Sequence, residues 1–92
     1  MYATTANVRN SLVANGCIVE GQVENSILSR GVHVHKDAIV RNSILNEKTV
    51  VGANAVVVNT ITDKRAIIQD GVTLAGAYSL PFVVGKKEVI SR

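Results

Sequence analysis

Asn10-Ser11-Leu12-Val13, Asn25-Ser26-Ile27-Leu28, Asn42-Ser43-Ile44-Leu45 and Asn59-Thr60-Ile61-Thr62 are four statements of one phrase, spaced by fifteen, seventeen and seventeen residues. A unit of that length cannot bury its own apolar face and must stack on copies of itself, so the phrase predicts a solenoid. Inside it lies a finer unit: a small residue, any residue, then an aliphatic one. Thirteen such units run from Ala6-x-Val8 to Val72-x-Leu74, mostly five or six residues apart. Helical periodicity is absent over this span, so alternation within very short strands accounts for the pattern.

Residues two apart in a strand point to the same side. The small member of each unit is therefore expected at a crowded corner and the aliphatic member in the interior. Three units make one turn of a triangular prism. With coils stacked about 4.8 Å apart, four coils give a column roughly 19 Å tall. The expected fold is all-β: a single-stranded, left-handed parallel β-helix of about four triangular coils. Its hand follows from resemblance to hexapeptide-repeat proteins, since parallel crossovers are otherwise right-handed in about 98% of cases. The coils are expected over residues 1–75, and residues 76–92 as a tail capping the same domain. In that tail, Leu80-Pro81-Phe82-Val83-Val84 reads as a Pro-led edge strand. The start near Met1 shows no comparable cap, as if cut from something larger.

Composition agrees with this class and excludes others. Apolar residues make up 47% of the 92-residue chain and aromatics only 3%, so Val, Ile and Ala must build the core. No apolar run approaches the ~20 residues that span a bilayer. Met1-Tyr2-Ala3-Thr4-Thr5 lacks the features of a signal peptide, and the lone Cys17 cannot form an internal disulfide. A cytoplasmic protein with a buried thiol is expected. The net charge of +3 is spread over turns, and with few aromatics to stack on bases no nucleic-acid partner is expected.

The middle residues of the units should face solvent, yet they form apolar columns. One holds Leu12, Ile27, Ile44 and Ile61; a second holds Ile18, His33, Val50 and Ile67. An exposed apolar stripe on such a column is read as a docking surface, and its alternative is burial by rotation of the five-residue units. His33 and His35 are the only histidines. A general base or a zinc ligand is conceivable there, but the carbonic-anhydrase-like coils that this pattern resembles hold zinc with three His, so no metal site and no catalytic residue are expected. Glu20 and Glu24 flank the short first repeat as solvated carboxylates, and the glycines read as turn residues.

The run from Asn10 to Leu28, with Gly16-Cys17-Ile18-Val19-Glu20-Gly21 at its centre, and the closing Pro81-Phe82-Val83-Val84-Gly85-Lys86 carry a family resemblance. They resemble the C-terminal domain of glucose-1-phosphate adenylyltransferase (ADP-glucose pyrophosphorylase), in particular the regulatory, glycogen-biosynthesis-protein branch of Gram-positive bacteria. The likeness spans residues 7–90. It implies a non-catalytic structural and regulatory domain of a protein that serves ADP-glucose formation for glycogen synthesis. The implied partners are an N-terminal catalytic domain and sister subunits in a homo- or hetero-oligomer, with no membrane contact. The family's ATP and Mg2+ belong to that catalytic domain, so this chain is expected to hold no cofactor. Ile61-Thr62-Asp63-Lys64 resembles a family motif whose basic residue contacts activator, and Val83-Val84-Gly85-Lys86 resembles a second. The resemblance thus implies a phosphorylated-sugar effector near Lys64, Arg65, Lys86 and Lys87. A small trimeric hexapeptide-repeat acyltransferase, working through His33 or His35, is the alternative.

Overall fold

The structure, a computed structural model, describes residues 6–77 and 79–91. The expectation about the chain's start falls on residues 1–5, outside the described residues. Among the described residues, fifteen short strands wind three to a coil. The first coil holds β1 (Asn7–Arg9), β2 (Leu12–Val13) and β3 (Ile18–Val19). The second holds β4 (Gln22–Glu24), β5 (Ile27–Leu28) and β6 (His33–Val34), and the third β7 (Ile39–Arg41), β8 (Ile44–Leu45) and β9 (Val50–Val51). The fourth holds β10 (Val56–Val58), β11 (Thr60–Thr62) and β12 (Ile67–Ile68). The last holds β13 (Thr73–Ala75), β14 (Phe82–Val84) and β15 (Val89–Ile90).

Every third strand pairs in parallel, giving three five-stranded sheets in the orders β1-β4-β7-β10-β13, β2-β5-β8-β11-β14 and β3-β6-β9-β12-β15. Four full turns separate the first and last rung of each face. The result is the expected all-β solenoid with parallel sheets. β14 is an edge strand, as expected for the segment after Pro81, and the chain then adds β15 to a second face. The tail thus continues the winding.

Small and aliphatic members of the units point inward as expected. Val19, Val34, Val40, Leu45, Val51, Val57 and Ile68 are fully buried, and Ala38, Ala55 and Ala66 line the corners beside them. Cys17 is buried too, its thiol donating to the Ser29 carbonyl at 3.0 Å. Thr62 occupies an aliphatic position in the interior, and its hydroxyl pairs with that of Thr49 at 2.8 Å. A buried hydroxyl is tolerated when it is bonded.

The Asn-Ser phrase is explained at the corner between the first two faces. Asn10, Asn25, Asn42 and Asn59 all take left-handed φ values of 50–52°. Asn tolerates that conformation better than most residues. The next residue builds a spine. Ser11, Ser26 and Ser43 accept the backbone N–H of Ser26, Ser43 and Thr60, respectively, at 3.0–3.1 Å. Each hydroxyl, including that of Thr60, donates to the carbonyl two residues earlier, those of Arg9, Glu24, Arg41 and Val58. Ser11, Ser26 and Ser43 therefore each accept from the coil above and donate within their own.

Coil length varies in two places. The first coil is fifteen residues to the next, as Val8 pairs with Val23, against seventeen from Val23 to Val40. Between the fourth and last coils the step grows from seventeen (Val57 to Leu74) to twenty-two (Ile61 to Val83). The extra residues form a loop at the Asn corner, held by a Gly76 carbonyl bond from the Asn59 amide (3.0 Å) and by Phe82 N–H to Asn59 O (2.9 Å). Gly76 is required there, since a Cβ would lie 2.3 Å from the Phe82 nitrogen.

The spine yields a prediction. Ser43→Ala strands the fully buried Thr60 N–H and should lower unfolding free energy by about 1–3 kcal/mol. Ser43→Thr, which restores the hydroxyl as Thr60 does in the next coil, should lie close to wild type. Urea midpoints of the two variants check this.

Candidate functional site

The turns between the second and third faces stack into a basic ridge. Asn15-Gly16, Arg30-Gly31, Glu47-Lys48, Lys64-Arg65 and Lys86-Lys87 lie one above another, joined by bonds such as Lys48 N–H to Arg30 O (3.0 Å) and Lys87 N–H to Lys64 O (2.9 Å). All four effector candidates, Lys64, Arg65, Lys86 and Lys87, are brought together in adjacent coils and are exposed. Sequence reading missed that Arg30 and Lys48 share the same ridge. Of the acids beside the basic groups, Asp63 accepts from Lys64 N–H (2.7 Å) and Glu88 from Gly85 N–H (2.7 Å), while Glu47 stands in the ridge itself. Among the described residues, none of the six basic side chains is in an ion pair.

The backbone of this ridge is costly for side chains. Lys48, Arg65 and Lys87 have left-handed φ values of 58–59°, at positions filled by Gly16 and Gly31 in the first two coils. A left-handed L-residue costs about 1–2 kcal/mol, a cost glycine avoids.

The apolar stripe lies on the middle face. Leu12, Ile27, Ile44, Ile61 and Val83 are in register across its five rungs. Leu12 is 69% exposed, Ile27 44%, Ile44 40% and Val83 68%, while Ile61 is half-buried. Rotation of the units does not bury this column, because Leu28 and Leu45 fill the interior behind it. Val83 was not assigned to it from sequence, since the five extra residues of the loop hide its register. A shallow 560 Å³ concavity between Asn25, Asn42 and the isoleucines Ile27 and Ile44 borders the stripe.

The third cluster was not legible in the sequence as a unit. His33 and His35 alternate around the inward Val34, so both imidazoles emerge on the same outer face, stacked with centroids 3.7 Å apart. Glu20 lies one coil below, its N–H bonded to Val34 O at 2.8 Å. Its carboxylate meets His33 Nε2 at 2.7 Å and His35 Nδ1 at 3.9 Å. The short first coil makes this possible: it lacks the counterparts of Lys36 and Asp37, so Glu20 passes directly into Gly21 beneath the histidine turn. A Cβ on Gly21 would lie 2.3 Å from Ala38 O. The hydrogen bond from His33, then the nearby positive charge of His33, His35 and Lys36, hold the Glu20 carboxyl below its ordinary pKa against the opposing effect of desolvation. Glu24, by contrast, sits on the first face, paired in register with Arg9 and Arg41.

No helix among the described residues is long and apolar enough to cross a membrane. Comparison with known proteins adds the family context. The chain is 51% identical over 39 residues to the glycogen biosynthesis protein GlgD of Geobacillus stearothermophilus, covering 42% of this chain and 11% of that protein. It is 63% identical over 35 residues to GlgD of Bacillus subtilis (strain 168), covering 38% and 10%. It is 58% identical over 36 residues to the glucose-1-phosphate adenylyltransferase of Clostridium beijerinckii, covering 39% and 9%. These matches are shorter than the likeness read from the sequence, and the chain spans about a tenth of the length of these curated relatives. No solved structure gives a significant match. Residues 2–77 match the GlmU-like, C-terminal hexapeptide family, so the stacked corners, the small-x-aliphatic units and the three parallel faces are those of a member: the chain belongs to this hexapeptide-repeat family.

Proposed function

We propose that the chain is a structural and regulatory, non-catalytic β-helix domain of a glucose-1-phosphate adenylyltransferase-like protein in glycogen synthesis. The stripe on the middle face carries this reading. Its residues are displayed on a column whose core is already filled, so their apolar surface is available for a partner. The sequence relatives are a glycogen biosynthesis protein and adenylyltransferases, which supplies the partner's nature: the catalytic domain or a sister subunit of such a protein. The described glycines do not suit a nucleotide site. Gly16, Gly31 and Gly71 take left-handed corners, Gly21 and Gly52 lie against the next coil, Gly76 lies against Phe82 of its own coil and Asn59 of the coil before, and Gly85 faces the Glu88 side chain. No step here runs through ATP or Mg2+.

The basic ridge supports effector binding. Three ammonium groups and a guanidinium on adjacent turns, those of Lys64, Lys86, Lys87 and Arg65, suit a phosphate dianion. Placing Lys48, Arg65 and Lys87 where glycine is cheaper is a local strain that charge display accounts for.

Two expectations follow. In the protein that carries this domain, Ile44→Asp should reduce the oligomer mass seen by light scattering while the domain keeps its β circular-dichroism spectrum; loss of that spectrum would make the stripe core. A hexose phosphate titrated into the labelled domain should shift the amide resonances of Lys64 and Lys86. Arg65→Gly should weaken that response and yet raise unfolding free energy by up to about 1 kcal/mol, because it relieves the left-handed backbone. Unmoved resonances at Lys64 and Lys86 would remove the effector role.

A further inference from the structure

We infer that Glu20, His33 and His35 form a binding site for a late first-row divalent cation of the Zn2+ type. The three side chains each offer one ligand atom, and these atoms all lie within 4.8 Å of one another. A tetrahedral ion at the ~2.1 Å Zn–N distance needs its donors about 3.4 Å apart. His33 Nε2 and Glu20 Oε1 are closer than that, at 2.7 Å, and His35 Nδ1 is slightly farther from the same oxygen, at 3.9 Å. Small side-chain rotations close both differences.

Those rotations are available. The rings are near parallel, with 16° between their planes, so their in-plane lone pairs point alongside each other and one ring must turn about χ2. That torsion is broad in histidine, and the His33, His35 and Glu20 side chains are 29%, 39% and 36% exposed. The backbone needs no change. His33 and His35 sit on either side of the buried Val34, and Glu20 is tied to the same rung by its N–H bond to Val34 O. His33 is thus mounted within β6, and Glu20 and His35 directly follow the paired strands β3 and β6, so all three donors are held at the edge of one sheet.

The donor set selects the ion. Two imidazoles and one carboxylate suit Zn2+, Cu2+ or Ni2+; Mg2+ and Ca2+ prefer six or more oxygens. Three protein ligands leave a position open. The cluster borders a shallow 370 Å³ groove running from His35 over Val50 and Ile67 to Asp70, which leaves room for water or a small ligand on the ion. Binding at Nε2 requires a neutral His33 ring with its proton on Nδ1, so a proton on Nε2 is either released to solvent or moves to Nδ1. This inference is independent of the stripe and of the basic ridge, which lie elsewhere on the column.

The test is titration of untagged 92-residue chain with ZnCl2 by calorimetry, with imidazole 15N NMR on the same sample. One equivalent should bind, with both ring nitrogens of His33 and His35 shifting in the pattern of metal-bound His33 Nε2 and His35 Nδ1. Glu20→Gln and His35→Gln should each weaken binding at least about tenfold, with β circular dichroism retained. No binding, unchanged affinity in both variants, or ring-nitrogen shifts absent in the wild-type chain would each overturn the site. The wild-type NMR result decides the matter even if a variant fails to fold.

Discussion

A column of parallel coils depends on what happens to backbone N–H groups where the chain turns a corner. Along the flat faces, ladder bonds pair every coil with the next. At the bend after each Asn the geometry of the ladder fails, and a buried N–H would be left without a carbonyl. The hydroxyl of the residue below takes its place: Ser11 for Ser26, Ser26 for Ser43, and Ser43 for Thr60. An unpaired buried donor costs enough to matter against the small net stability of a domain this size. The left-handed Asn before it turns the chain, and on the first two coils the amides also bond directly, Asn10 to Asn25 at 2.7 Å.

Once that corner is secured, the outer surface is free to differ from coil to coil. One face presents aliphatic side chains, one corner presents six basic ones, and the third face presents a histidine pair over a carboxylate. The stripe lies on the middle face, the ridge at the turns that follow it, and the histidine cluster on the third face.

Much of this was legible before any coordinates. The thirteen small-x-aliphatic units coincide with the inward residues of the first thirteen strands, from Val8 in β1 to Leu74 in β13. The last two strands fall outside this unit pattern because their small positions hold Phe82 and Glu88; β14 was readable as an edge strand from Pro81, but its register was hidden by the Gly76 loop that lengthens the fifth coil. The outward stripe was readable as far as Ile61 and lost at Val83 for the same reason. The basic ridge was half visible: Lys64, Arg65, Lys86 and Lys87 came from family likeness, whereas Arg30 and Lys48 join them only through stacking. Glu20 was read as a solvated carboxylate, yet it bonds His33, because a coil two residues short carries it under the histidine turn.

The sequence by itself determined the period, the inward and outward faces, and the kinds of residue at each corner. Those properties are local: alternation within a strand and tolerance of a left-handed turn belong to single residues and their immediate neighbours. Tertiary structure alone decided which outward side chains meet. Contact across coils depends on the registers of fifteen, seventeen and twenty-two residues, and a shift of one or two residues at a corner moves a carboxylate from open water to the edge of an imidazole.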